Sequence, residues 1–358
     1  MSDTIRLRRQ GYRAAMADQI MTVLGPIAPE ELGVTLSHEH LLFDLRALWE
    51  APPSDRAFLG DLEPTLGNRG EIERDLYYSK PTLFLDDPSI ASDEAARFKA
   101  AGGRSIVDLT TIGLAPDPEA LRTISLATGL HVVAGAGYYR AKTLDAGLLD
   151  LSVEALADQL EGWVREGMSG TTVRAGVLGE LGTASPIRPF EERQLRAAAR
   201  VQRWTGVAID VHPQLKEHEH LRILDILEEE GANLGKVAIS HCDQLIEPAW
   251  HRKIAERGAY LSFDTFGSEF TYESDGSREP LDTERIDCIR RLVDDGHTDQ
   301  VLISHDICTR LQLHRLGGRG YDHILRNVLP AMRAVGIDQA SIDAMLVANP
   351  RRLLAHPA

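Results

Sequence analysis

The sequence predicts a single α/β domain folded as a (β/α)8 TIM barrel with a long insertion between its first two strands. Two observations favour this fold: eight short apolar runs recur along the chain, and segments with helical periodicity alternate with them. A third counts against the rival doubly wound sheet, because no glycine-rich phosphate-binding turn follows the first run. The length of 358 residues suits one such barrel.

The eight runs are short and almost continuously apolar or β-branched. Strands that are buried on both faces, as in a parallel sheet covered by helices, have this character. We therefore predict strands at residues 34–36, 105–109, 131–135, 177–181, 207–211, 237–240, 260–263 and 301–304.

Six of the intervening segments carry apolar residues at helical spacing. The segment 152–166 places four of them on one face, namely Val153, Leu156, Leu160 and Val164. Gly231 provides a stop signal after another segment. We predict helices at residues 93–101, 152–166, 191–204, 219–230, 283–294 and 322–335.

The remaining segments suggest the domain organisation. Residues 1–20 are interpreted as a basic N-terminal arm, and residues 21–358 as one barrel domain. Residues 46–92 are rich in Pro, Gly, Asp and Arg and show little periodicity. Because loops of this length are usually structured or functional, we predict an insertion that packs beside the mouth of the barrel.

Composition narrows the classes of partner and compartment. The net charge of −15 argues against nucleic acid or an anionic membrane surface, since both favour a basic face. No run of 18 apolar residues could span a membrane. Three cysteines are too few for a disulfide framework, and they lack the CxxC spacing of a cysteine metal site. We therefore expect a reducing, cytoplasmic compartment.

Side chains that commonly bind metals end five of the eight predicted strands. His38 and His40 end the first strand and point the same way in an extended chain. The fourth, fifth, sixth and eighth strands end with Glu180, His212, His241 and Asp306. Barrel active sites lie at this end of the strands, and burying such groups without a metal would be costly. The joint pattern therefore predicts a metal centre.

Several motifs carry a resemblance to a known family. They are Gly33-Val34-Thr35-Leu36-Ser37-His38-Glu39-His40-Leu41, Gly179-Glu180-Leu181-Gly182-Thr183, Ser240-His241-Cys242-Asp243 and Ser304-His305-Asp306-Ile307. With these motifs, residues 21–353 resemble the phosphotriesterase family of the amidohydrolase superfamily. Within that family the chain is most similar to the phosphotriesterase homology proteins.

The resemblance implies two divalent metal ions, usually Zn²⁺, with Mn²⁺, Co²⁺ or Fe²⁺ as the other candidates. By the family pattern, the more buried ion is bound by His38, His40 and Asp306. The more exposed ion is then bound by His212 and His241.

The bridge between the two ions departs from the organophosphate-degrading branch, where it is a carbamylated lysine on the fourth strand. This chain has no lysine between Lys142 and Lys216, so that bridge cannot form there. Glu180 occupies the place instead, as the resemblance to the homology proteins implies. A carboxylate can supply the same two oxygens.

Together with the metal centre, the resemblance implies a hydrolase that acts on a small-molecule ester, with a carboxylic ester or lactone favoured and a phosphoric ester as the alternative. Two metal ions would activate a bridging hydroxide, and Asp306 would act as general base and pass the proton to the leaving group. A catalytically silent binding barrel and a metal-dependent lyase or isomerase are the alternatives from other classes. The family also suggests a homodimer.

Candidate substrate contacts follow the third and eighth strands. Related lactonases use a tyrosine near Tyr138 and Tyr139 to contact substrate or hydroxide. Three arginines form a candidate anion site, with solvated surface side chains as the alternative interpretation: Arg140, Arg310 and Arg319. Asp210 and Asp243 are candidates for fixing the ligand histidines, and carboxylates without that role are an equal alternative.

Overall fold

Eight parallel strands form the centre of the molecule, and the sequence-predicted barrel is confirmed. The computed structural model describes residues 18–358. Each strand pairs with the next one in chain order. All eight lie within three residues of their predicted bounds: β1 Thr35–Glu39, β2 Ser105–Asp108, β3 His131–Ala136, β4 Val177–Gly182, β5 Ala208–His212, β6 Val237–Ile239, β7 Tyr260–Phe263 and β8 Val301–Ile303.

The barrel closes between β8 and β1 through isolated hydrogen bonds at its C-terminal end. The backbone nitrogen of Asp306 donates to the carbonyl of His38 at 3.2 Å. The backbone nitrogen of His38 donates in turn to Ser304 Oγ at 3.1 Å. The closure therefore runs through the residues that end these two strands.

Helices cover the outside of the barrel. Proline in the first turn begins four of them, where a missing N–H costs nothing. The seven longest are α1 Pro88–Ala100, α2 Pro118–Thr128, α3 Val153–Arg165, α4 Pro189–Thr205, α5 His220–Glu229, α6 Pro248–Glu256 and α7 Asp282–Asp294. The C-terminal part adds Ile324–Val328, Leu329–Ala334, Gln339–Asp343, Ala344–Ala348 and Asn349–Leu354.

The helices differ from the sequence-based expectation in three places. α2 and α6 were not predicted, although Asp117-Pro118 and Glu247-Pro248 stand at their starts. α1 begins five residues before the predicted position, because Asp87 caps it by accepting a hydrogen bond from the backbone nitrogen of Ser89 at 2.8 Å. In each case an acidic residue followed by proline marks the start of the helix.

Three short strands from the two ends of the described chain form a small sheet outside the barrel. Asp18–Thr22 pairs antiparallel with Gly25–Ile27 and with His356–Pro357. Residues 1–17, most of the predicted arm, lie outside the described residues. Within residues 18–358, no helix combines the length and the apolarity that a membrane crossing requires.

Residues 46–92 contain short helices and lie against the loop that follows β8. These helices are Arg46–Leu48, Ser54–Asp61, Arg69–Ile72, Leu76–Tyr78 and Lys80–Leu83, and a strand pair, Phe43–Asp44 with Phe84–Leu85, closes the segment. Arg69 donates to the carbonyls of Leu311 and Leu316 at 2.5 and 2.9 Å. These bonds hold the segment beside the end of the barrel that carries the predicted metal ligands.

The core has two layers that alternate along the strands. One set of side chains, which includes Val107, Val133, Ala208 and Tyr260, fills the barrel interior. The intervening side chains pack against the helices, which explains the continuous apolar runs of the sequence. Because the interior below is filled, polar side chains can gather only at the C-terminal end.

The ion pair between Arg285 and Asp243 is buried completely. Arg285 of α7 is fully buried and lies 3.0 Å from Asp243 Oδ2 and 3.1 Å from Asp282 Oδ1. Its guanidinium also donates to Thr265 Oγ1 at 2.8 Å and to the carbonyl of Ser268 at 2.9 Å. These bonds tie α7 to the loops that follow β6 and β7.

Replacing Arg285 with methionine is expected to lower the free energy of unfolding by about 3–5 kcal/mol, because Asp243 is left buried without its partner. Urea denaturation followed by circular dichroism measures the change. Arg290→Met on the same helix removes an arginine that is 38% exposed and is the matched control, with an expected change below about 0.5 kcal/mol. Equal losses in the two variants would contradict the expectation.

Candidate metal centre

Six polar side chains converge at the C-terminal end of the barrel. The strands β1, β4, β5, β6 and β8 deliver them, as the sequence predicts, and five of the six are almost fully buried. The exception, Asp306, has a side chain that is 19% exposed and faces the cavity above. The six are His38, His40, Glu180, His212, His241 and Asp306.

His38, His40 and Asp306 form one compact group. Oδ1 of Asp306 lies 3.2 Å from His40 Nε2 and 3.6 Å from His38 Nε2. All three potential ligand atoms lie within 4.8 Å of one another, so one cation could contact them together.

Glu180, His212 and His241 form a second group beside the first. Oε2 of Glu180 lies 3.0 Å from His212 Nδ1 and 3.6 Å from His241 Nε2. The two imidazole nitrogens are themselves only 2.7 Å apart. This group could hold a second cation.

Glu180 lies between the two groups. Its Oε1 is 3.5 Å from His40 Nε2, and its Oε2 is 3.5 Å from His38 Nε2. The residue before it must be glycine, since a Cβ on Gly179 would lie 2.5 Å from the carbonyl oxygen of Asp210. Glu180 can therefore contact both cation positions.

The local backbone departs from regular structure where it carries these groups. The pairing of β1 with β2 shifts register between Leu36 and Glu39, on either side of His38. His241 and Asp306 have φ of +55° and +50°, in the left-handed region that non-glycine residues rarely occupy. Such bulges and strained residues redirect side chains and cluster at functional sites.

Hydrogen bonds on the outer side orient the histidine rings. Asp264 lies 2.9 Å from His241 Nδ1 and 3.1 Å from His38 Nδ1, while Thr110 Oγ1 lies 3.0 Å from His40 Nδ1. With Nδ1 engaged in this way, the three rings direct Nε2 toward the centre. His212 is turned the other way, because its Nε2 lies 3.1 Å from the hydroxyl of Tyr139.

Sequence reasoning missed Asp264 and considered Asp210 and Asp243 instead. Asp210 accepts a hydrogen bond from Ser240 Oγ at 2.7 Å, and that hydroxyl lies 2.9 Å from His38 Nδ1. Asp243 is bonded to Thr265 and Arg285, not to a histidine of the centre. The signal for Asp264 was its position directly after β7.

The donor atoms fit divalent cations. His38 Nε2 is buried and has no hydrogen-bond partner among the described residues. Burial acts to lower the pKa of His38, but Asp264, Glu180 and Asp306 raise it to about 10. The carboxylates thus make this end of the barrel favourable for positive charge, and neutral imidazole and carboxylate are both ligands of divalent metal ions.

A cavity of about 720 Å³, including its open mouth, leads from solvent to the centre. Polar groups of the centre form its floor. Apolar and aromatic side chains from residues 45–77, from the loops after β2 and β5 and from the loop after β7 form its wall: Leu48, Leu76, Tyr77, Leu114, Leu215 and Tyr272.

The candidate substrate contacts divide into two sets. Tyr139 and Arg140 line the cavity. Tyr138 does not, since its hydroxyl donates to Gln159 and its ring packs against Trp163, with the centroids 5.6 Å apart.

The two other arginines also lie away from the cavity wall. Arg310 pairs with Glu63 at 2.7 Å, and Arg319 pairs with Glu269 at 2.5 Å. Arg319 lines a separate surface depression. The structure thus brings only one of the three arginines to the predicted site, because the other two form ion pairs with neighbouring loops.

The phosphotriesterase family model matches residues 18–354 of this sequence. The chain belongs to the phosphotriesterase family. It is 35% identical over 345 residues to the N-acetyltaurine hydrolase of Xenopus tropicalis, covering 95% of this chain and 99% of that protein. Membership in the phosphotriesterase family makes the chain a metal-dependent hydrolase.

Solved structures of similar proteins share this fold. A resiniferatoxin-binding protein from Rhodobacter sphaeroides superposes with a TM-score of 0.92 at 39% identity, and 94% of each chain is covered. A lactonase from Listeria monocytogenes superposes with a TM-score of 0.76 at 26% identity, covering 94% of this chain and 98% of that one.

Asp264→Asn is expected to weaken metal binding about 10- to 100-fold, because asparagine cannot hold both rings as hydrogen-bond donors as the carboxylate does. Competition with a chelator, followed by elemental analysis, measures the affinity. Asp225→Asn, at a carboxylate that is 49% exposed on α5, is the matched control. Unchanged affinity in Asp264→Asn would contradict the role of this residue.

Proposed function

We propose that the chain uses two divalent cations, zinc by preference, to hydrolyse a carboxylic acyl bond of a small molecule. The observation that carries this proposal is the position of Glu180, whose two oxygens face His38, His40 and His212 at 3.0–3.5 Å. A carboxylate in this place can serve two cations at once. The fold then needs no modified lysine.

Each group of side chains has one task in this proposal. His38, His40 and Asp306 would hold one cation, and His212 and His241 would hold the other, with Glu180 between them. When bound, the two cations would lower the pKa of a water molecule and polarise the bond to be cleaved. Tyr139 fixes the ring of His212 through the 3.1 Å contact and faces the cavity.

Asp306 is the residue that can move a proton. It is the one member of the centre with an appreciably exposed side chain, at 19%, and it lines the cavity. Its carboxylate can accept a proton from the attacking water and donate it to the leaving group. Gln312 supports this position by donating to the Asp306 carbonyl at 2.9 Å.

The choice of bond rests on the relatives. The N-acetyltaurine hydrolases are named for an N-acetyl amide and the Listeria protein for a lactone, and both are acyl bonds of carboxylic acids. This supports the sequence-based preference for a carboxylic ester or lactone over a phosphoric ester, and it adds amides to the class. The homodimer and the cytoplasmic compartment stay predictions from the sequence.

The purified protein is expected to contain about two divalent ions per chain. His38→Ala is expected to lose at least one of them, because the buried Nε2 of His38 has no hydrogen-bond partner within residues 18–358 and can bind a cation. Elemental analysis after gel filtration measures the content. His218→Ala, at a histidine that is 49% exposed, is the control and keeps both ions. Wild-type protein without bound metal after reconstitution would contradict the proposal.

Asp306→Asn is expected to lower kcat for acyl-bond hydrolysis about 10²- to 10⁴-fold. The assay is a panel of N-acyl amides, carboxylic esters, lactones and phosphoric esters with metal-loaded protein. Asp299→Asn, at a side chain that is 77% exposed, is the matched control. Turnover of phosphoric esters alone would favour the alternative hydrolase, and binding without turnover would favour the silent barrel.

A further inference from the structure

The cavity wall carries the guanidinium of Arg140, which pairs with no carboxylate of the described residues. Arg140 lines both the inner cavity and the outer pocket that continues toward solvent. Within residues 18–358 it takes part in no ion pair; its Nη2 donates to Gln214 Oε1. Its Nε is buried and has no hydrogen-bond partner in the same part of the chain. Part of the donor fork of this side chain is therefore unused.

The backbone brings Arg140 close to the candidate metal centre. A Cβ on Gly182 would lie 2.5 Å from the Arg140 nitrogen and 2.8 Å from its Cγ, so glycine at this position permits the approach. Gly182 ends β4, two residues beyond Glu180. Ala141 is fixed as well, since its nitrogen donates to Glu191 Oε1 at 3.2 Å. Arg140 is thus held at the end of the strand that carries the bridging carboxylate.

The outer pocket adds two further cations, Lys142 and Lys216. Among the described residues neither forms an ion pair; Lys216 Nζ donates to Ser277 Oγ at 2.8 Å. Burial, and then the neighbouring charge of Arg140, lowers the pKa of Lys142. The cations are thus close enough to interact.

Three carboxylates line the same pocket, and they leave Arg140 available. Glu279 is buried and accepts hydrogen bonds from Gln244 and from the hydroxyl of Tyr272, the latter at 2.7 Å. Asp275 accepts from the backbone nitrogen of Ser277 at 2.8 Å, and neither it nor Glu50 lies within ion-pair distance of Arg140 in the described chain.

We propose that Arg140 binds an oxyanion group of the substrate, a carboxylate or a sulfonate, while the acyl bond lies at the metal centre. This inference rests on the proposed function, because it assigns a second contact to the same substrate. A partly buried guanidinium without a counter-charge is costly, and an oxyanion offsets that cost through charge-assisted hydrogen bonds to the fork. The substrate class is therefore an anionic N-acyl amide or ester.

The kinetic test compares matched substrates. N-acetyl-β-alanine and N-acetyl-2-aminoethanesulfonate carry the charge, and N-acetyl-3-aminopropanol is neutral. Arg140→Gln is expected to raise KM for the charged pair about 10- to 100-fold and to leave KM for the neutral compound within about threefold. Arg140→Lys is expected to restore part of the loss. The two charged compounds show whether a carboxylate or a sulfonate is preferred.

Arg310→Gln is the matched control, since this arginine is paired with Glu63 outside the cavity. Its KM values are expected to remain those of the wild type. An equal loss for charged and neutral substrates in Arg140→Gln would show a structural role and overturn the proposal.

A binding test separates this proposal from the proposed function. In 5-oxohexanoate and 4-oxopentane-1-sulfonate a methylene replaces the amide nitrogen, so neither compound can be hydrolysed, and 6-hydroxyhexan-2-one is the neutral control. Calorimetric titration of metal-loaded protein is expected to show about 10-fold or greater preference for a charged ketone, lost in Arg140→Gln. If the protein shows no preference for a charged ketone, the proposed anion site is wrong. Preference without turnover of any acyl substrate leaves the anion site intact and overturns the proposed hydrolase.

Discussion

Three carboxylates share one buried space with four histidine rings, and most of the structure around the cavity floor depends on this arrangement. Glu180, Asp264 and Asp306 repel one another where water is nearly excluded, and isolated buried charges of this kind are strongly unfavourable. Protons or metal cations between them offset the repulsion. The nitrogens of His212 and His241, 2.7 Å apart, are close enough to share a proton or a cation. The donor set can therefore hold cations, and the ends of six strands deliver it.

The barrel interior and the loops around the cavity have different roles. Below the centre, the interior is filled by apolar side chains of the strands, and the cavity opens on the opposite side, toward the loops at the C-terminal end. Above it, Tyr77 from the segment after β1 stacks on Tyr272 from the loop after β7, with ring centroids 5.9 Å apart. The wall of the cavity thus joins segments that are distant in sequence. Residues at the strand ends determine the chemistry, and the loops that form the cavity wall determine which substrate fits.

Sequence patterns predicted the barrel and the six convergent side chains because both depend on local information. Apolar continuity marks a buried strand, and a polar residue at its end must lie at the common edge. Asp264 escaped notice because its role depends on facing His241 and His38 across the barrel. The three arginines could not be ranked for the same reason: the ion pairs that occupy Arg310 and Arg319 come from segments whose packing the sequence pattern does not specify. The starts of α2 and α6 are marked locally by Asp117-Pro118 and Glu247-Pro248, so these two helices were predictable from the sequence.

The negative charge of the whole chain does not oppose an anionic substrate. Charges on the surface are screened over about 8–10 Å at physiological ionic strength, so the net −15 acts weakly inside a cavity. Of the acidic residues, Glu180 and Asp306 face the proposed cations, and Glu279 is engaged by Gln244 and Tyr272. What a substrate meets at the wall is the local field of Arg140, reinforced toward solvent by the two lysines of the outer pocket. An acidic protein can therefore present a guanidinium to an anionic substrate, because the field in a narrow cleft is determined by the groups that line it.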